Sequence, residues 1–174
     1  PNDKDLVYEI VLNSLKIGVD KHNFDLNYIP KVLEAISSTI FQTMTVDEEE
    51  DEIDIDNIFE YETKIFTFCL KHFSEISCLF YQTVFVPKIS ELLSSSYLLG
   101  FAIKVTTQYI FTSHDLSFFE GFGSILLQYI SDIEQVPSLA SVKAIGKLFG
   151  VPHTHPNYLQ FSNEVIFSFY EKLI

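Results

Sequence analysis

A proline-led segment occurs twice in this chain with one internal pattern. Ile29-Pro30-Lys31-Val32-Leu33-Glu34-Ala35-Ile36-Ser37-Ser38 returns as Val86-Pro87-Lys88-Ile89-Ser90-Glu91-Leu92-Leu93-Ser94-Ser95, so that both read apolar-Pro-Lys-x-x-Glu-x-x-Ser-Ser. A looser third copy opens at Val136-Pro137 and continues through Leu139, Val142, Ile145 and Leu148. Proline suits a first helical turn, because the N–H it lacks would find no intrahelical partner there and its fixed φ is already helical. Behind Pro30, the residues Ile29, Val32, Leu33, Ile36 and Ile40 recur at helical spacing and mark one buried face. Units of this kind hide their apolar stripes by stacking on one another. The repeat therefore predicts an all-α chain of stacked antiparallel helix pairs, an α-solenoid of about seven or eight helices. The interval between the copies exceeds the ~40–47 residues usual for such repeats, and an acidic insertion between the first two supplies the excess.

The 174 residues suffice for one helical segment, read here as a single unit over 1–174, and an opening Pro1 rather than Met suggests a piece of a longer protein. The net charge of −13 and pI near 4.6 oppose phosphate backbones. The eleven basic residues look scattered. Direct nucleic-acid binding is accordingly not expected, whereas basic protein partners are. Cys69 and Cys78 sit in apolar surroundings and read as free thiols of a reducing compartment. The polar opening Pro1-Asn2-Asp3-Lys4-Asp5 does not read as a signal peptide, and none is expected from it; no apolar run reaches the ~18–20 residues of a membrane span.

Along the chain, a first helix is expected from Lys4 to Ile17, with Leu6, Ile10 and Leu15 near its buried face and Gly18 as its stop. The helix of the first copy, capped by Asp25 or Asn27, ends near Met44. Asp47-Glu48-Glu49-Glu50-Asp51-Glu52, with Asp54 and Asp56, then forms an acidic loop over 46–56 that repels itself and cannot bury. It reads either as a solvated linker or as a charged surface for a basic partner. These eight carboxylates are the candidate partner-binding residues. Asn57-x-x-Glu60 resembles a capping box ahead of a helix apolar on most sides, from Phe59 through Leu70. Thr83-Val84-Phe85-Val86 leaves a β-strand open as an alternative to helix. Helices follow at Tyr97–Phe111, behind the capping box Ser117-x-x-Glu120, at Pro137–Phe149 and after Asn157. Gly121 and Gly123 suggest close approach of a neighbouring helix.

No constellation for catalysis emerges. Gly121-Phe122-Gly123-Ser124 lacks the lysine and the preceding strand of a phosphate loop, and no G-x-S-x-G elbow occurs. His153-x-His155 and the set Cys69, His72, Cys78 each fall short of a zinc site. The acidic run lacks the glycine and alternate ligands of a calcium loop. No catalytic residue, cofactor or metal is assigned, and a non-enzymatic binding protein is the expectation.

The first copy, its acidic connection and the Phe-rich helix around Tyr61-Glu62-Thr63-Lys64-Ile65-Phe66 resemble the HEAT repeats of importin-β-type transport receptors, exportins especially. Phe118 to Ile133 followed by Leu139 to Leu148 has the same pattern, so the resemblance covers Tyr28 to Phe149. It implies a HEAT-repeat segment of a karyopherin working in nucleus and cytoplasm, with cargo, the GTPase Ran and Phe-Gly nucleoporins as partners. No residue here matches a diagnostic Ran-binding signature. A compact regulator resembling Bcl-2 proteins is the rival reading, with Tyr97–Phe111 at its centre and a groove for a partner helix. Against it stand the repeated Pro-Lys helix starts and the absence of tryptophan.

Overall fold

A computed structural model of the chain describes residues 3–44, 59–95, 97–130, 136–156 and 158–173. Within them the regular structure is helical throughout: α1 (Asp3–Asp20), α2 (Tyr28–Thr43), α3 (Glu60–His72), α4 (Ser74–Phe80), α5 (Ile89–Ser94), α6 (Leu99–Ser113), α7 (Phe119–Ile130), α8 (Val136–Phe149) and α9 (Asn163–Leu173). Between α4 and α5 the chain stays helical through a π turn at Tyr81–Phe85 and a 3-10 turn at Val86–Lys88. With that run taken as one rod, the described residues hold eight rods. The strand alternative at Thr83–Val86 is thereby excluded. The reason is local: the ring of Pro87 would press on the carbonyl of Thr83 in a regular α-helix. The turn ahead of it widens instead, and the Val86 N–H reaches Tyr81 O.

The rods pack in an alternating order. α1 lies on α3, α3 on α6, and α6 on α8, so every second rod touches the next in the same row. The rods between them pack along this row: α2 against α3 and α4, α5 against α6, and α7 against both α8 and α9. Burial on α2 falls on Ile29, Leu33, Ile36, Ser37 and Ile40; of the stripe read from the repeat, Val32 is half-buried and the other four are buried. Ser37 is tolerated there because its hydroxyl donates to Leu33 O at 2.6 Å. At the centre, Phe66 of α3 meets the rings of Phe85 at 4.9 Å and of Phe101 at 6.3 Å. Tyr81 stacks on Tyr109 at 4.2 Å and shares a hydrogen bond with Thr106 Oγ1 at 2.7 Å. Edge-on and offset ring pairs of this kind add about 0.5–1.5 kcal/mol each beyond their burial.

Several expectations are corrected. The three proline-led copies are not equivalent. The first is a regular α-helix, the second is a 3-10 turn leading into the short α5, and the third, in α8, belongs to the row of α1, α3 and α6. Leu6 and Ile10 are exposed, while Leu12 and Leu15 bury, because α3 covers α1 on one side. Gly18 does not stop α1, which runs to Asp20; it makes room for Phe24, whose Cδ2 would lie 2.3 Å from an added Cβ. Gly121 faces open space rather than a neighbouring helix. Ser117 lies in a 3-10 turn, Leu116–Phe118, ahead of α7, and its N–H (3.0 Å) and its hydroxyl both donate to Asp115 Oδ1; the side chain of Glu120, the other half of that box, lies outside the described residues. Asn57 lies outside the described residues, as does Asn157, and Phe59 occupies the N-cap of α3.

Candidate functional site

The row α1–α3–α6–α8 buries one side against the core and leaves the other open. The phase of each helix decides what the open side carries. On α3 the buried residues are Glu62, Ile65, Phe66, Cys69 and Leu70, which puts Lys64, Thr67 and Lys71 on the opposite stripe. On α6, Lys104 is the one exposed residue between Phe101 and Ile110. On α8, Lys143 and Lys147 stand one turn apart and share a face. Lys16 on α1 completes the set.

Packing these four helices side by side makes one lysine-lined groove. Three depressions of about 270, 460 and 500 Å³ run into one another along it, and Gln108 lines all three. The chain has no arginine, and six of its eleven basic residues, Lys16, Lys64, Lys71, Lys104, Lys143 and Lys147, stand on these walls. Among the described residues, no carboxylate lines the groove. The impression of scattered basic residues is therefore corrected: they are dispersed in sequence and gathered in space. The signal was present as helical spacing, since Lys64 and Lys71 are seven apart and Lys143 and Lys147 four. Nothing in the sequence revealed that α3 and α8 would flank the same helix.

The floor is organised by Gln108, which is 6% exposed. Its Nε2 donates to Thr112 Oγ1 at 2.8 Å, and its Oε1 accepts from Lys147 Nζ. Lys147 also sits 5.0 Å from the centroid of the Phe111 ring. Its proton affinity is nonetheless lowered, first by desolvation and then by repulsion from Lys71. His72, at the rim, is lowered by desolvation and by Lys71, with Asp20 opposing both. Lys64 pairs with Glu60 one turn away. Among the described residues the groove thus gathers six lysines, on a protein whose total charge is −13.

Elsewhere the sequence-derived candidates fare differently. Asp47, Glu48, Glu49, Glu50, Asp51, Glu52, Asp54 and Asp56 lie outside the described residues. Among the described residues, no three His, Cys, Asp or Glu side chains come together as a metal site. Both cysteines are free thiols; burial pushes Cys69 up to about 12 and Cys78 up to about 11. Lys4 reaches into the α1–α3 contact and pairs with the buried Glu62 at 2.8 Å, away from the groove. Among the described residues, no helix is long and apolar enough to cross a membrane. Comparison with protein-family models, with curated proteins and with solved structures finds no match.

Proposed function

We propose that the chain is a non-enzymatic protein-binding scaffold, a HEAT-type α-solenoid segment of the sort that builds importin-β-type transport receptors. The observation that carries this reading is the packing of alternate rods, α1 on α3 on α6 on α8 in chain order, with the intervening helices set along them. Such an order repeats one supersecondary unit and creates a long continuous face, the property by which solenoids bind partners. The resemblance of Tyr28 to Phe149 to exportin repeats makes the finer reading a karyopherin segment, shuttling between nucleus and cytoplasm. Ran, basic cargo and Phe-Gly nucleoporins are its proposed partners.

The rival compact regulator draws support from α6, which is buried from Phe101 to Ile110 except at Lys104. A groove for an amphipathic partner helix needs an apolar floor, whereas the groove beside α6 carries lysines from α1, α3, α6 and α8. The geometry favours the scaffold.

Binding assays with purified Ran loaded with GTP or GDP, a Phe-Gly nucleoporin fragment and a lysine-rich cargo peptide test the transport reading. Preference for the GTP form is the expected result. Failure to bind all of them at moderate salt overturns it.

A further inference from the structure

We infer that the groove along α1, α3, α6 and α8 is a docking site for an extended acidic peptide segment of a partner protein. The inference rests on the scaffold reading and adds the site and the chemistry of its occupant. Four helices side by side at interaxial spacings of 8–10 Å span about 27 Å between the outer axes, the reach of about eight residues in extended form. Lysines stand at each step across that span: Lys16 on α1, Lys64 and Lys71 on α3, Lys104 on α6, and Lys143 and Lys147 on α8. An extended chain with a carboxylate at intervals meets an ammonium at each step. A compact anion would engage one step alone.

Like charges gathered this way destabilise the free protein, and Lys71 weighs on both Lys147 and His72. Carboxylates from a partner relieve that repulsion and bring a favourable pairing at the same time. The floor is also shaped to hold charge in place. Gln108 is fixed between Thr112 and Lys147, so the Lys147 ammonium is held rather than swinging in solvent.

Nucleic acid is the other polyanion such a groove could meet, and two observations disfavour it. Single strands bind on exposed aromatic faces that stack bases. Among the described residues, the aromatic rings lining the groove are already engaged, Phe68 with the His72 ring at 4.3 Å and Phe111 with Lys147. A nucleic acid also carries its charge onward, one per ~3.4 Å of strand, past the groove onto a protein of net charge −13. An acidic segment of eight residues ends where the lysines end.

The test uses a fluorescently labelled peptide of alternating glutamate and aspartate, eight acidic residues flanked by Gly-Ser, titrated with the full chain and read by anisotropy. Binding that weakens with added salt is expected. The exposed double variant Lys104→Glu/Lys143→Glu should bind about tenfold more weakly, since two exposed attractions become repulsions. Lys31→Glu/Lys88→Glu, with the same total charge change away from the groove, should bind within about twofold of the parent. Lysine acetylation of the unmodified protein, mapped by mass spectrometry, gives a readout that needs no variant: the peptide should protect Lys104 and Lys143 and leave Lys31 and Lys88 unprotected. No binding at low salt overturns the site, as does equal weakening by both variants. So does tighter binding of a single-stranded oligonucleotide that the groove variant alone abolishes. Loss of Ran binding with the peptide site intact would sink the transport reading and leave the groove standing; the converse result would do the opposite.

Discussion

Lys147 stands with its ammonium 5.0 Å from the centre of the Phe111 ring and donates to Gln108 Oε1. The cation–π contact contributes about 0.5–2 kcal/mol in favour of the charged form, yet the proton is held less tightly than in a free lysine. The lowering comes first from desolvation and then from the Lys71 charge.

A pH dependence follows from this balance. The unfolded chain binds the Lys147 proton with an ordinary value of 10.5, and the folded chain binds it more weakly. Stability therefore rises with pH over the interval from the lowered folded value up to 10.5, and the charged lysine is a liability at neutral pH. Urea midpoints measured from neutral pH into that interval should climb more steeply for the parent than for Lys147→Met. Parallel curves would show that Lys147 feels neither the burial nor Lys71.

The second prediction concerns the buried contact between Tyr81 and α6. Tyr81→Phe removes the hydroxyl that meets Thr106 Oγ1 at 2.7 Å, and Thr106→Val removes the other partner. Each single change should cost about 1–3 kcal/mol, since a buried hydroxyl loses its partner in each case. The double variant should cost clearly less than the two together, a coupling that guanidinium denaturation of the four proteins would measure. Simple additivity would mean the pair contributes nothing as a pair.

Two glycines in helices should respond oppositely to alanine. At Gly18 the new methyl group would meet the Phe24 ring, which itself packs on Phe73 at 5.4 Å between centroids. Overpacking costs about 1–3 kcal/mol there, more than the ~0.5–1 kcal/mol that alanine contributes to a helix. Gly121 meets nothing within 4 Å, so Gly121→Ala should stabilise by up to about 1 kcal/mol. Thermal unfolding of the two variants side by side reads the difference in sign.

Both thiols should be sluggish nucleophiles. The thiolate is the reacting form, and burial pushes Cys69 up to about 12 and Cys78 up to about 11. Alkylation of the native protein at neutral pH should lag far behind a free cysteine peptide, with Cys69 the slower of the two. Rapid modification of Cys69 without denaturant would contradict its placement inside α3.

The fold was legible where the physics is local. The stripe Ile29, Leu33, Ile36 and Ile40 was readable because helical period alone decides which residues share a face. Tyr97–Phe111 was readable as a helix on the same ground, and it falls at Leu99–Ser113. Where a neighbour's position decides, reading failed. Leu6 and Leu12 are equally apolar, and the side on which α3 lies exposes one and buries the other. Gly18 and Gly121 look alike in sequence and differ in whether a ring stands over them.

The candidate site divides in the same way. From sequence, the charge of interest was the acidic run Asp47–Asp56, because a contiguous block needs no fold to be noticed. The lysines that line the groove come from four helices as far apart in the chain as Lys16 and Lys147. The sequence by itself determined that the chain is helical, acidic and striped with apolar residues, since each depends on composition or on a period of a few residues. Only the tertiary structure decided that the basic residues face one another, because that depends on which helices become neighbours and on the phase at which each one turns.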